Sequence, residues 1–151
     1  MARIKKYQKK SFESSGISSD TSANIYHSML TSVAWQTLSK PQRILYLCMK
    51  DRYYQLKRHP YNNQEMFYFN KSLWKNEYQL YTNAKQFEKD RDALIEKGFI
   101  IVVEDGYNTR TNNIYKYSDK WQKYGTDLFK IEFQEMSTSL RHKTQKALIN
   151  K

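Results

Sequence analysis

The chain of 151 residues has few cysteines and histidines, the residues that disulfide bonds and most zinc sites need. Its single cysteine, Cys48, excludes a disulfide within the chain and a thiolate zinc site. Cys48 lies in an apolar run, so we expect a buried, inert thiol. The three histidines, His27, His59 and His142, are far apart and lack metal-ligand spacing. The sequence therefore predicts neither a metal site nor a cofactor.

Glycine is also scarce, and the four glycines are scattered along the chain. A phosphate-binding loop needs several glycines close together, so a nucleotide-hydrolysis motif is missing. A nicking relaxase would combine a tyrosine nucleophile with a histidine pair, and no such pair is present. Nothing in the sequence points to a Ser-His-Asp site. We therefore expect a protein that is not an enzyme.

Long apolar runs are missing as well. The longest candidate, Ile44–Met49, is far too short to cross a bilayer. No apolar signal segment follows the basic start of the chain. Together with the single cysteine, these features predict a cytoplasmic protein that has no membrane partner.

Positive charge is what the chain has in excess. Lys plus Arg number 26 against 15 Asp plus Glu, which gives a formal net charge of +11. This balance favours a polyanionic partner, either nucleic acid or an anionic membrane surface. A basic but ordinary soluble protein is the alternative. Aromatic residues are abundant, with 13 Tyr, 7 Phe and 3 Trp, so rings are expected to dominate the core.

Composition predicts three segments. Residues 1–21 are expected to form a basic flexible arm and linker, because the first ten residues carry five cations and no acid and a serine-rich stretch follows. This arm either contacts DNA or is a solubilising tail. Residues 22–125 are expected to form the folded domain. Residues 126–151 are predicted to form an extra C-terminal amphipathic helix, with a break considered near Ser137–Ser139.

Local signals place the first elements of the folded domain. A helix is expected to start near Asp20 or Ser22, either of which can act as a cap. A second helix is expected after Ser39, because Gln42 completes a capping box. This helix is predicted to run to about Lys57, before the break at His59-Pro60.

Further signals place a strand, two helices and a terminator. Phe67–Phe69 is predicted to be a short strand, and Asn70 is expected to cap a short helix. Asn83, with Gln86 three residues later, is expected to open a long helix through a second capping box. Gly98 is predicted to end that helix.

Two strands are predicted after the long helix, at Phe99–Val103 and Ile114–Tyr117, joined by a turn-rich basic loop. Ser118 is expected to cap a turn of helix that holds Trp121. The fold class predicted is mainly α with a small antiparallel sheet (α+β). The order of strand, short helix, turn, long helix and two strands predicts a winged helix-turn-helix.

The outward face of the long helix is polar and mostly basic when Phe87 faces inward. The N-terminal half of a recognition helix reaches base edges, where Gln suits adenine and Lys suits guanine or phosphate. A plain solvated helix face is the alternative. Arg91 lies near the apolar face and is expected to snorkel or to pair with a carboxylate. The predicted recognition residues are Thr82, Asn83, Lys85, Gln86 and Lys89.

The loop between the last two strands and the start of the short helix are predicted to contact the DNA backbone. Residues Tyr107–Asn113 of the loop carry hydroxyl, amide and guanidinium donors and no acid, and a helix N-terminus favours anions. The predicted wing contacts are Asn108, Thr109, Arg110, Thr111, Asn112 and Asn113. The predicted backbone contacts are Lys71, Ser72 and Lys75, with Arg3, Lys5, Lys6, Lys9 and Lys10 from the arm.

The run Phe87–Ile100 resembles the helix, glycine turn and Phe-Ile strand of winged-helix DNA-binding domains, and Ser118–Trp121 is similar to an element of many bacterial members. The whole chain resembles small basic winged-helix proteins carried by plasmids and integrative conjugative elements of low-GC Gram-positive bacteria. This resemblance implies a role in replication initiation, transfer-origin binding or regulation of a mobile element. It also allows a replication or transfer protein as partner.

The main hypothesis is sequence-specific binding of double-stranded DNA, as a homodimer on a repeated or palindromic site. One alternative is a winged-helix module that binds a partner protein, with the C-terminal helix used for that purpose or for dimerisation. The other is a single-stranded nucleic-acid-binding accessory factor, in which tyrosine rings stack on bases.

Overall fold

A computed structural model of the chain describes residues 11–13 and 15–150. It is a mixed α+β fold with a three-stranded antiparallel sheet. The helices and strands are α1 (His27–Leu30), α2 (Val33–Gln36), α3 (Lys40–Gln55), β1 (Met66–Tyr68), a π-helix (Ser72–Glu77), α4 (Ala84–Glu96), β2 (Ile100–Glu104), β3 (Ile114–Tyr117) and α5 (Thr138–Ile149). Short 3₁₀ turns lie at Ser11–Glu13, Pro60–Asn62, Lys120–Lys123 and Phe133–Glu135.

The predicted capping box at the start of α3 is confirmed. The Ser39 N–H donates to Gln42 Oε1 at 2.9 Å, and the Gln42 N–H donates to Ser39 Oγ at 3.4 Å. The helix ends at Gln55, two residues before the predicted end. Cys48 is half-buried rather than buried, and burial, with a smaller contribution from the charge of Asp51, raises the pKa of its thiol to about 11.

The helix predicted to start near Asp20 or Ser22 is wrong, because the first α-helix begins at His27. The polar side chains of this segment bond elsewhere. Asp20 Oδ1 accepts from the adjoining Thr21 N–H at 2.9 Å, and Thr21 Oγ1 accepts from Gln55 Nε2 at 2.6 Å. Such side chains compete with the backbone hydrogen bonds of a helix.

The sheet has β3 at its centre, in the order β1-β3-β2. Phe67 of β1 and Val102 of β2 both lie opposite Tyr115 of β3, and all three side chains are buried. The register of β2 against β3 shifts between Val102 and Glu104. The buried face of the sheet thus packs against the helices, with α3 against β1 and α4 against β2.

Aromatic rings make up much of the core, as composition predicted. The Phe99 ring stacks on Trp121 with an interplanar angle of 6° and a centroid distance of 6.0 Å. Trp35 and Tyr46 contact the same Phe99 ring at centroid distances of 6.0 and 5.0 Å. This cluster joins α2 and α3 to the start of β2.

The end of α4 is defined by Gly98, as predicted. Its φ is +83°, a conformation that favours glycine. The site is also crowded, because a Cβ on Gly98 would lie 2.6 Å from the backbone nitrogen of Trp121. Only glycine therefore permits the close contact between the end of α4 and the turn at Lys120–Lys123.

Gly98→Ala is expected to lower the free energy of unfolding by about 3 kcal/mol, because left-handed strain and overpacking add. Gly125 is a matched control. It has the same φ, +83°, but its nearest neighbour, Val33 Cγ1, is 3.9 Å from a Cβ built there. We expect Gly125→Ala to lower stability by only about 1 kcal/mol. Urea denaturation measures both, and equal losses would contradict the packing argument.

The C-terminal segment is not one helix from Leu128, so that prediction is wrong. Helix α5 begins at Thr138, after Ser137 Oγ accepts from the Leu140 N–H at 3.2 Å. The predicted break near Ser137–Ser139 is thus the start of the helix. The preceding apolar residues alternate with a period of two, which does not form a helical stripe. None of the helices within residues 11–13 and 15–150 is long and apolar enough to span a membrane.

Candidate nucleic-acid interface

A stack of aromatic rings holds the π-helix against the N-terminal half of α4. The Trp74 ring stacks on the Phe87 ring with a centroid distance of 5.3 Å and an interplanar angle of 14°. The Phe69 ring also stacks on Phe87, with a centroid distance of 6.2 Å. Tyr81 contacts both Trp74 and Phe87 edge-on. Because Phe87 is buried in this stack, the opposite side of α4 faces solvent.

The turn between the π-helix and α4 has an uncommon conformation. The Tyr78 N–H donates to the Leu73 carbonyl at 2.9 Å, which is the wide i to i+5 spacing. Asn70 Oδ1 accepts from the Leu73 N–H at 3.3 Å, so the predicted cap is confirmed. Gln79 then adopts a φ of +51° and is exposed. Left-handed glutamine is rare, which makes Gln79 a candidate contact that the sequence pattern did not indicate.

The predicted recognition residues lie together on the exposed face of α4 and the turn before it. Asn83 Oδ1 accepts from the Gln86 N–H at 3.0 Å, so its oxygen acts as the helix cap. No return bond from the Gln86 side chain forms within the described part of the chain, and only half of the predicted capping box is present. Thr82, Lys85, Gln86 and Lys89 are exposed. Neither lysine makes an ion pair with any described residue.

The two aspartates of α4 have partners inside the protein. Asp90 is buried and accepts from the Tyr81 hydroxyl at 2.8 Å. Burial, followed by this hydrogen bond, raises the pKa of Tyr81, so the phenol remains a donor. Asp92 accepts from Ser137 Oγ and Ser139 Oγ at 2.6 and 2.7 Å. These carboxylates lie away from the N-terminal half of the exposed face.

Two further acids complete the charge distribution on α4. Glu96, in the last turn, forms an ion pair of 3.3 Å with Lys143 of α5. Glu88 is half-buried beside α5. Positive charge therefore dominates the first half of the exposed face, at Lys85 and Lys89, and negative charge is confined to the second half and to the side that α5 covers.

Arg91 pairs with a carboxylate, one of the two arrangements that its position predicted. Its side chain is buried and lies 3.1 Å from Asp92 Oδ1. The same guanidinium donates to Ser139 Oγ at 3.1 Å and to the Tyr115 hydroxyl at 3.4 Å. Arg91 is thus a structural link between α4, β3 and α5, and it is not available to a ligand on the exposed face.

The loop between β2 and β3 is closed by hydrogen bonds at its base. The Gly106 N–H donates to Asn113 Oδ1 at 2.8 Å, and the Thr111 N–H donates to the Gly106 carbonyl at 3.2 Å. The hydroxyls of Thr109 and Thr111 lie 2.7 Å apart. A Cβ on Gly106 would lie 2.0 Å from the Thr111 carbonyl oxygen, so the loop closes only around glycine.

Arg110 lies at the tip of this loop with a φ of +54°, and its side chain is exposed. Asn108 is also exposed, and neither side chain hydrogen-bonds to another described residue. Asn112 Oδ1 accepts from Asn70 Nδ2 at 3.4 Å, which joins the loop to the start of the π-helix. Of the predicted wing contacts, Asn108 and Arg110 therefore have free side chains, and Asn112 keeps a free Nδ2 donor.

The predicted backbone contacts on the π-helix and directly before it are exposed. Lys71, Ser72 and Lys75 form no ion pair or side-chain hydrogen bond with the residues that the structure describes. The predicted arm contacts, Arg3, Lys5, Lys6, Lys9 and Lys10, lie outside the described residues.

Asp105 connects the loop to α5. Its Oδ2 accepts from the Thr138 N–H at 2.8 Å and from Thr138 Oγ1 at 2.5 Å, and its Oδ1 accepts from the Tyr107 N–H at 2.9 Å. Burial alone would raise the pKa of Asp105, but these hydrogen bonds and the charge of Arg91 outweigh it and hold the pKa below its usual value. The carboxylate is thus charged at neutral pH and acts as a cap on α5.

A polar cavity of about 290 Å³ lies between α4, the loop and α5. Glu88, Arg91, Tyr107, Ser139 and His142 are among its lining residues. Within the described residues, no three or more His, Cys, Asp or Glu side chains come close enough to hold a metal ion. Comparisons of the chain with protein-family models, curated proteins and solved structures found no match.

Proposed function

We propose that the protein is a winged helix-turn-helix protein that binds double-stranded DNA in a sequence-specific way. In this proposal α4 is the recognition helix and the loop between β2 and β3 is the wing. The observed succession of α3, β1, the π-helix, α4, β2 and β3 supports it, because a helix-turn-helix presents its second helix to the major groove.

The observation that carries the proposal is the separation of charge along α4. The exposed first half holds Lys85, Gln86 and Lys89 without acidic partners among the described residues, while Asp90 and Asp92 are engaged internally. A helix enters the major groove by its N-terminal residues, so the half that would meet the phosphates is the basic one.

Two elements flank this helix with further donors. Arg110 lies at the loop tip, Lys71 directly precedes the π-helix, and Lys75 lies on it. The Asn70–Asn112 hydrogen bond joins these flanking elements. In the proposal they contact phosphates and fix the orientation of α4, which alone reads bases. By its resemblance to proteins of mobile elements, we propose that the DNA site serves replication, transfer or regulation of such an element.

The test is a selection of binding sites from random duplexes, followed by fluorescence anisotropy at several salt concentrations. Gln86→Ala is expected to remove about 1 to 3 kcal/mol of discrimination at one base pair, because a side chain that reads a base edge carries specificity. Arg110→Ala should weaken binding to all duplexes alike and reduce the salt slope by about 1, as the loss of one phosphate contact does.

Lys123→Ala provides a control, because Lys123 is exposed but lies in the turn after β3. It is expected to leave both specificity and salt slope unchanged. A protein whose affinity for duplexes does not depend on salt would contradict the proposal and favour a protein-binding module. Tighter binding to single strands than to duplexes of the same sequence would contradict it in favour of base stacking by tyrosines.

A further inference from the structure

Helix α3 carries apolar side chains on the face that points away from the core. Leu45 and Met49 are fully buried, but Ile44 and Leu47 are 49% and 39% exposed. Both lie on the side of α3 opposite to these core residues, one turn apart. Ile44 and Leu47 together form a small apolar patch on one helix face, which a partner of matching shape and charge can cover.

Oppositely charged residues stand at the two ends of this apolar pair. The face reads Lys40, Ile44, Leu47 and Asp51, with steps of four, three and four residues. Lys40 and Asp51 form no ion pair with any residue that the structure describes. The Tyr78 hydroxyl donates to Asp51 Oδ2 at 2.6 Å, and Asp51 Oδ1 receives no side-chain hydrogen bond among those residues. The order of cation, two aliphatic residues and anion is self-complementary when one copy is reversed.

We propose that this face of α3, formed by Lys40, Ile44, Leu47 and Asp51, is a homodimer interface in which two copies of α3 pack antiparallel. The two-fold axis crosses this face of α3 at the level midway between residues 45 and 46 along the helix. It places Ile44 against the partner's Leu47. The same register places Lys40 against the partner's Asp51. Each contact occurs twice, because a two-fold interface uses the same surface on both subunits.

The pattern on α3 favours a second copy over other occupants. A partner with a uniformly charged helix would satisfy only one end of the face. By contrast, α5 exposes Leu148 and Ile149, but its sequence contains cations and no acid, so two copies of α5 would repel each other. Dimerisation through the C-terminal helix, one of the alternatives from the sequence, is therefore disfavoured.

The interface is small. One face of a four-turn helix offers less than the roughly 800 Å² per partner that a standard interface buries, so dissociation is expected in the micromolar range. A dimer of this kind would suit a palindromic DNA site, but the inference does not depend on DNA binding.

Sedimentation velocity of the full chain without DNA, over the micromolar range, tests the interface. The wild type is expected to shift from monomer to dimer. Leu47→Glu should weaken dimerisation at least about tenfold, because each dimer would bury two new charges in its apolar centre. Leu148→Glu is the matched control, since it adds the same charge to an exposed leucine of α5, and we expect less than about a twofold change.

Charge reversal tests the register. Lys40→Glu is expected to weaken dimerisation about tenfold, because it sets two carboxylates against each other at both ends of the interface. Adding Asp51→Lys should restore dimerisation to within about threefold of the wild type, since the ion pairs re-form with reversed signs. Circular dichroism checks that the Asp51 variants keep their helices. If they do not, the interface is tested by comparing the dimerisation of Leu47→Glu and Lys40→Glu with that of the control Leu148→Glu.

Three results would each overturn the proposal. The first is a wild-type chain that remains monomeric throughout the concentration range. The second is a Leu47→Glu variant that dimerises as tightly as the wild type. The third is a folded double variant, Lys40→Glu with Asp51→Lys, that dimerises as weakly as Lys40→Glu alone. Because no DNA is present, none of these outcomes bears on the proposed DNA binding.

Discussion

Asp92→Ala is expected to lower the free energy of unfolding by about 3 to 4 kcal/mol, because it removes the carboxylate that pairs with a buried guanidinium. Arg91 is 6% exposed and would be left with a hydroxyl at 3.1 Å, Ser139 Oγ, and another at 3.4 Å, on Tyr115. The same substitution leaves the buried hydroxyl of Ser137 without its acceptor at 2.6 Å. Breaking a buried charged network costs far more than losing a surface contact.

Urea denaturation gives the loss of stability, and amide hydrogen exchange shows where it acts. We expect α5 to lose protection first, since Asp92 is bonded to both Ser137 and Ser139 at the start of that helix. Glu96→Ala is the control on the same helix. Its ion pair with Lys143 is largely exposed, so its loss should matter by less than about 0.5 kcal/mol.

A similar small loss for both variants would contradict the view that Asp92 anchors α5. An intermediate result, in which stability falls but α5 remains protected, would assign the effect to Arg91 and the sheet alone.

Much of the fold could be predicted, because the signals were local. Ser39 and Gln42 cap each other across three residues, and Asn83 caps α4 over the same distance. Gly98 ends α4 because it adopts a left-handed conformation, with a φ of +83°. A helix cap or a left-handed glycine depends on a few neighbouring residues, so the local sequence is enough to predict where such a helix starts or ends.

The anchoring of α5 could not be predicted in this way. Ser137 and Ser139 meet Asp92, and Thr138 meets Asp105, across long stretches of sequence. Serine and threonine ahead of a helix indicate a helix cap, but they do not indicate which distant side chain they contact. The sequence therefore indicated a break at this position without indicating Asp92 or Asp105 as the partners. The left-handed turn at Gln79 was equally hidden, because glutamine carries no preference for that conformation.

These long-range contacts also change how the candidate interface is understood. From sequence, the outward face of α4 was expected to carry Thr82, Lys85, Gln86 and Lys89, and nothing indicated where the acids of the same helix would lie. In the folded chain, Asp92 and Glu96 bond to α5, and Glu88 lies half-buried beside it. The extra helix therefore contributes to the charge pattern on α4 although it lies outside the proposed recognition surface.

Lys85→Glu combined with Lys89→Glu is expected to weaken duplex binding by at least about 100-fold at ~0.1 M salt. The two side chains are exposed on the same face of α4, and each reversal replaces an attraction to phosphate with a repulsion. The slope of log affinity against log salt should fall in magnitude by about 2, because two phosphate contacts no longer release counterions. Fluorescence anisotropy with a labelled duplex at four or more salt concentrations measures both quantities.

The matched control is Lys123→Glu combined with Lys130→Glu, which changes the net charge of the protein by the same amount. Both lysines are exposed, and both lie after β3 rather than on α4. If DNA were bound only through the overall charge of +11, the two double variants would lose affinity equally. A loss confined to the α4 pair, with unchanged thermal unfolding in both variants, would require that α4 itself lies against the phosphates. Equal losses would remove the reason for assigning recognition to α4.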